Sequence, residues 1–158
     1  MSDSLVNITI NGQQLKVKKG TKLIEAAAQS GYEIPRFCYH PDLKVVASCR
    51  MCLVDIEGAS KPQPSCSLDV QEGMVVQTSS EKAINAQKSV MRFLLMKHPL
   101  HCPICDQGGQ CELQDIAMGY GEGITDFVEE KRDIDDEDLG HLVATDMSLC
   151  IHCTRFVR

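Results

Sequence analysis

The sequence predicts an α+β protein, a small sheet wrapped on one helix, followed by a second helix and a loop-rich segment organised by a bound ligand. Three observations carry this. Alternating apolar residues on either side of an Asn-Gly turn open the chain, a strongly amphipathic stretch lies in its middle, and nine cysteines fall at loop spacings.

Val6, Ile8 and Ile10 alternate with Asn7 and Thr9, and after Asn11-Gly12 the residues Leu15 and Val17 alternate with Lys16 and Lys18. Asn-Gly is comfortable at the positive φ angles of a type I′ turn, so this reads as a hairpin. Thr21 is placed to cap a helix over residues 22–30, whose Leu23, Ile24, Ala27 and Ala28 share a face, and Gly31 can end it. Leu53–Ile56 reads as a strand stopped by Gly58, and residues 74–78 as another after Glu72-Gly73. Ser79 or Ser80 caps a helix over Glu81–Lys97, with Ile84, Val90, Met91, Leu94 and Leu95 on its apolar face. His98-Pro99 ends it, because the residue before proline is pushed out of the α region.

Residues 100–123 hold three cysteines and five glycines with little periodicity, and read as a loop built around a ligand. Residues 129–138 are mostly charged and read as a solvated linker or partner-facing edge without chemistry of its own. The organisation expected is therefore 1–78, 79–120 and 121–158.

Composition removes several classes. With 158 residues, 43% hydrophobic content, 24% charged content and a net charge of −6, the chain resembles ordinary globular protein, which excludes disorder, collagen and coiled coil. No apolar run approaches the roughly 20 residues that span a bilayer, and Met1-Ser2-Asp3-Ser4 lacks the features of a signal peptide, so a cytoplasmic chain with no direct membrane span is expected. An acidic balance without a basic patch argues against a nucleic-acid partner. Gly119, Gly121 and Gly123 miss the dinucleotide fingerprint, which needs glycine where Ile124 stands. Ser48 and Ser65 belong to no G-x-S-x-G or P-loop pattern, so neither hydrolase nor nucleotide chemistry is expected.

Nine cysteines in a chain with no secretory signal favour metal or iron-sulfur ligation over disulfides. They sort into three groups. Cys38, Cys49, Cys52 and Cys66 are spaced C-x10-C-x2-C-x13-C, enough thiolates to enclose a 2Fe-2S cluster. Cys102, Cys105 and Cys111 are spaced C-x2-C-x5-C and need a fourth ligand; His98 stands where the preceding helix ends, with His101 adjacent to Cys102. Cys150 and Cys153 form a further C-x2-C pair that is incomplete. His98 is the preferred histidine, while His40, His101, His141 and His152 read as surface or neighbouring residues. A zinc-stapled interaction module is the competing reading of any one C-x2-C pair. The 49 residues between the Cys49-Cys52 and Cys102-Cys105 pairs exceed the roughly 15–20 of a two-pair zinc site.

The stretch His98-Pro99-Leu100-His101-Cys102-Pro103-Ile104-Cys105-Asp106-Gln107-Gly108-Gly109-Gln110-Cys111-Glu112-Leu113-Gln114-Asp115 resembles the large iron-sulfur (G) subunit of bacterial NADH:quinone oxidoreductase, respiratory complex I. The resemblance runs from the Asn11-Gly12 hairpin to Arg158. Similar modules occur in the diaphorase subunit of NAD-linked hydrogenases, in some NAD-linked formate dehydrogenases and in iron-only hydrogenases, so an electron-input subunit of that kind is the alternative.

The resemblance implies a β-grasp, ferredoxin-like domain with one 2Fe-2S cluster on Cys38, Cys49, Cys52 and Cys66, then one 4Fe-4S cluster on His98, Cys102, Cys105 and Cys111. It implies a second 4Fe-4S cluster starting at Cys150 and Cys153, but the next ligand position is Phe156 and the sequence stops at Arg158, so at most two clusters and an N-terminal portion of the subunit are expected. The activity implied is electron relay within an NADH dehydrogenase that is also a translocase. Electrons pass from NADH and flavin on a neighbouring subunit toward quinone, coupled in the whole complex to proton translocation, with no substrate-binding active site in this chain. The partners implied are other peripheral-arm subunits, at the cytoplasmic face of the inner membrane. An imidazole in place of one thiolate leaves the His98 cluster less negative, which should raise its potential.

Overall fold

Strands β1 (Leu5–Ile10) and β2 (Gln13–Lys18) pair antiparallel, with Leu5 opposite Lys18 and Ile10 opposite Gln13. The computed structural model describes residues 4–125 and 127–158. Asn11 and Gly12 have φ of 50° and 84°, the left-handed pair that the hairpin reading required. Asn11 does more than turn the chain. Its amide donates to Thr78 Oγ1 at 2.8 Å and its Oδ1 accepts from the Thr78 N–H at 2.9 Å, tying the hairpin tip to the end of a distant strand.

That strand, β5 (Met74–Gln77), lies parallel to β1 and antiparallel to β3 (Leu53–Ile56). A two-residue edge strand, β4 (Gln63–Pro64), completes the order β2-β1-β5-β3-β4. The sequence did not reveal β4, because Pro62 and Pro64 flank Gln63, and proline fits a sheet only at an edge such as this one. Val6, Ile8 and Ile10 turn to one face of the sheet, where the first core forms with Leu23, Ile24, Ala26 and Ala27 of α1 (Leu23–Gln29).

The two ends of α1 close differently. Gly31, at φ 80°, ends the helix as expected, with Gly31 N–H donating to Ala28 and Tyr32 N–H to Ala27, the bond pair of a Schellman motif. Thr21 does not cap the start. The N-cap is Lys22, without a side-chain cap, and the Leu23 and Ile24 N–H groups donate to the carbonyls of Leu68 at 2.9 Å and Ser65 at 3.2 Å. The segment bearing Cys66 thus supplies the acceptors that a capping side chain otherwise provides.

Helix α2 (Glu81–Lys97) begins at Ser80, whose hydroxyl accepts from the Ala83 N–H at 3.2 Å and donates to Asp55 Oδ2 at 3.2 Å. Lys82 Nζ reaches Asp55 Oδ1 at 2.9 Å, and buried Gln87 donates to the Leu53 carbonyl at 3.0 Å, so α2 is pinned along β3.

Residues 100–123 are not all loop. Helix α3 (Glu112–Tyr120) turns Leu113, Ile116, Ala117 and Tyr120 onto one face, and Gly121 ends it with a bond to the Ala117 carbonyl. The i, i+3, i+4, i+7 spacing was present in the sequence, but glycines on both sides masked so short a period. These residues join a second core of Phe37, Met51, Met91 and Leu113, with Ile151 and Cys153 packed against it. Phe37 and Met51 belong to the cysteine-bearing loop of the first unit, so one apolar cluster draws on all three stretches of chain.

The charged run 129–138 also departs from the expectation of a bare linker. Lys131 Nζ donates to the Leu95 and Met96 carbonyls at 3.0 Å each, and the Arg132 N–H to the Lys97 carbonyl at 2.8 Å. The last carbonyls of a helix lack intrahelical donors, and here two basic residues supply them. Asp133 to Asp138 are exposed. Among the described residues no helix is long and apolar enough to cross a membrane.

Candidate metal centres

Of the first group, Cys52 and Cys66 pack in the first core with α1 and the sheet, whereas Cys49 packs against the second core. Cys38, Cys52 and Cys66 are buried and Cys49 is half-buried. The Cys38 N–H donates to Cys49 Sγ at 3.5 Å. Hydrogen bonds from the Cys49 and then the Cys66 thiol hold Cys38 far below the ordinary thiol range; the same contact with Cys38, reinforced by burial, pushes Cys49 up. The Cys66 thiol lowers Cys52 to about 7, with the Ser65 hydroxyl assisting, and Cys66 itself is raised by Cys38 and then Cys52. The thiols thus neighbour one another as linked pairs. Linked pairs suit a two-iron cluster, which takes its thiolates at two separate irons.

The backbone around Cys49 is bent to make this possible. Ala47 and Arg50 have φ of 52° and 60°, a left-handed conformation that costs a non-glycine residue about 1–2 kcal/mol. That strain sits on either side of a candidate ligand.

In the second group, His98, Cys102, Cys105 and Cys111 line one cavity of about 200 Å³, walled by Leu95 and Leu113. His98 is the C-cap of α2 and Cys111 the N-cap of α3, so two helix ends fix the outermost members. Buried His98 Nδ1 has no hydrogen-bond partner. Burial, then the charges of Arg132 and Lys131, lower the His98 pKa against the raising charge of Asp146, which favours the neutral ring, the form that ligates iron. Gly108 is sterically required: a Cβ there would stand 2.5 Å from the Cys102 carbonyl oxygen and 3.1 Å from that of Cys105. Sequence alone does not single out this glycine from its neighbours. A donor set of three thiols and an imidazole with an unpartnered buried nitrogen fits an iron-sulfur cluster. His101 is exposed.

Cys150 and Cys153 are half-buried, Cys153 at the edge of the second core, with the His152 N–H donating to Cys150 Sγ at 3.4 Å. No third thiol joins them at the expected spacing, and the Phe156 side chain is fully exposed. Arg155 pairs with Glu112 at 2.9 Å, and Arg158 donates to the carbonyls of Cys38 and Lys44, so this segment is strapped to both other groups. The remaining histidines, His40, His141 and His152, are exposed.

Residues 3–81 match the family of the 2Fe-2S iron-sulfur cluster binding domain, and residues 87–123 match the NADH-ubiquinone oxidoreductase-G iron-sulfur binding region. The chain is 49% identical over 154 residues to the G subunit of NADH-quinone oxidoreductase of Rickettsia bellii, covering 98% of this chain and 23% of that protein. It is 49% identical over 154 residues to the NADH-ubiquinone oxidoreductase 75 kDa subunit of Reclinomonas americana, covering 98% and 22%. It thus spans less than a quarter of the length of either relative. Its fold is similar to a chain of an NAD+-reducing [NiFe]-hydrogenase solved in the H2-reduced state, with TM-score 0.82 and 27% identity, covering 95% of this chain and 63% of the other. The chain belongs to the 2Fe-2S iron-sulfur cluster binding family and is a homologue of the N-terminal part of the large iron-sulfur (G) subunit of NADH-quinone oxidoreductase.

Proposed function

We propose that the chain is an electron relay, with a 2Fe-2S cluster on Cys38, Cys49, Cys52 and Cys66 and a 4Fe-4S cluster on His98, Cys102, Cys105 and Cys111. The carrying observation is the unpartnered buried nitrogen of His98 in one cavity with three cysteines, beside a separate group of paired thiols. When bound, such clusters supply one-electron exchange with little rearrangement. The protein's own share is to fix the ligands: left-handed Ala47 and Arg50 bend the first loop, Gly108 lets the second close, and the shared core packs Phe37 and Met51 of the first loop against Met91 and Leu113. Cys150 and Cys153 are offered as part of a third site that these residues alone do not complete.

In the assembled complex the relay would run from NADH and flavin on a neighbouring subunit toward quinone, coupled to proton translocation, with peripheral-arm subunits as partners at the cytoplasmic face of the membrane. The three segments 1–78, 79–120 and 121–158 serve the first, second and third sites in turn. The hydrogenase electron-input role is the second reading, favoured by the fold similarity, although the NADH-quinone oxidoreductase relatives share much more sequence, 49% against 27%. A zinc-stapled module is the weaker reading, since both family matches are to iron-sulfur binding regions.

Iron and acid-labile sulfide assays with low-temperature EPR of anaerobic, dithionite-reduced protein test the proposal. About six irons per chain and two distinct signals are expected. Zinc without sulfide would overturn it.

A further inference from the structure

Arg132 lies in a charged run that the sequence leaves without chemistry, yet it is held from several sides. Its N–H closes the Lys97 carbonyl at the end of α2, and its guanidinium donates to the Ser148 carbonyl at 3.1 and 2.8 Å and to the Cys150 carbonyl. The same group stands 3.4 Å from His152 Nδ1. Arg132 and His98 share the wall of a hollow of about 180 Å³ that also reaches Cys150. A second hollow places Asp146 with Arg132 and His101, and with Lys131, Asp133 and Asp136; the Asp146 carboxylate is fixed by accepting from the Ser148 and Leu149 N–H groups at 3.0 and 3.3 Å.

The guanidinium cannot lose its proton, and its bonds to backbone carbonyls leave it no freedom to swing into solvent. A fixed cation beside a site that gains one electron and no proton stabilises the reduced form, and a fixed anion does the reverse. We infer that Arg132 is a positioning residue that sets the reduction potential of the group held by His98, Cys102, Cys105 and Cys111, with Asp146 as its opposing charge. This rests on the ligand reading given under the proposed function. Both charges belong to chain beyond the region of the second family match, which ends at residue 123.

The experiment is an EPR-monitored redox titration of the anaerobic, cluster-loaded whole chain, comparing wild type with Arg132→Gln, Arg132→Lys and Asp146→Asn. Asparagine keeps an acceptor for the Ser148 and Leu149 N–H groups while removing the charge. For Arg132→Gln the midpoint of the second signal should become more negative by up to a tenfold change in the reduction equilibrium, about 59 mV for one electron. Arg132→Lys should stay near wild type, Asp146→Asn should move the midpoint the other way, and the 2Fe-2S midpoint should barely move in any of them. If Arg132→Gln fails to hold the second cluster, the shift in Asp146→Asn decides. A second signal whose midpoint is unchanged by removal of either charge, or moves no more than the 2Fe-2S midpoint, overturns the inference while leaving the ligand reading intact. A wild-type chain with no second signal overturns the ligand reading, and the inference falls with it.

Discussion

The Cys52 carbonyl accepts two hydrogen bonds from Ser65, one from the backbone N–H at 3.0 Å and one from the hydroxyl at 2.9 Å. Both residues are buried, and Ser65 directly precedes Cys66, so this pair of hydrogen bonds locks two candidate ligands in register. Replacing Ser65 with alanine removes one donor and leaves the other. The cluster-free chain should lose about 1 kcal/mol in denaturant unfolding, and the iron content of the loaded chain should stay unchanged. Loss of two irons would show instead that the hydroxyl is needed to hold the first site.

Gly108→Ala forces a methyl group against two carbonyl oxygens of the second loop, neither of which is the end of a flexible side chain. The loop must open. We expect loss of the second EPR signal and about four irons per chain, with the first signal intact. A variant that retains both signals would show that the Cys102 to Cys111 loop takes another shape when loaded.

Cys105→Ala and Met51→Ala should separate ligation from packing. Cys105 lies outside the second core, so its replacement should abolish the second signal and spare the first. Met51 is fully buried in the core that the first loop shares with α2 and α3. Truncating it should cost about 2–5 kcal/mol and weaken both signals together, which loading assays on the two variants would distinguish.

The Asp55 carboxylate is held below its usual range, first by the hydrogen bond from Lys82 and then by the Ser80 hydroxyl. A group with a depressed folded pKa stabilises the protein above its unfolded pKa, near 4 for aspartate, and that contribution is lost as pH falls through the folded value. Denaturant midpoints measured from pH 7 to 3 should therefore converge for wild type and Asp55→Asn at the acid end. Curves that stay parallel throughout would remove the linkage of α2 to β3 through this charge.

The hairpin, α1, β3, β5 and α2 were legible because each combines a periodic apolar pattern with a terminator that has a physical reason, such as Gly31 or His98-Pro99. The cysteine groups were legible because ligand chemistry restricts residue type and spacing. What escaped was closure by distant backbone. Thr21 looked like a cap because capping is local, yet the carbonyls of Ser65 and Leu68 do that work from more than 40 residues away. Lys131 and Arg132 looked like solvated charge because nothing in their neighbourhood says that they meet the carbonyls at the end of α2. Helix α3 shows a different limit: nine residues carry only about two and a half turns of pattern.

Phe37 and Met51 leave the first cysteine loop to pack with Met91 and Leu113, and this imposes an order in time during synthesis. All four thiols of the first group have been translated once Cys66 is made, but the wall that shelters their loop waits for α2 and α3. At roughly 5–20 residues per second, the ribosome leaves that loop unsheltered for about 3–11 seconds, until the end of α3 at Tyr120 is made. In that interval the thiols are open to iron delivery and equally open to oxidants, so the yield of loaded protein should depend on how fast iron and sulfide arrive during translation.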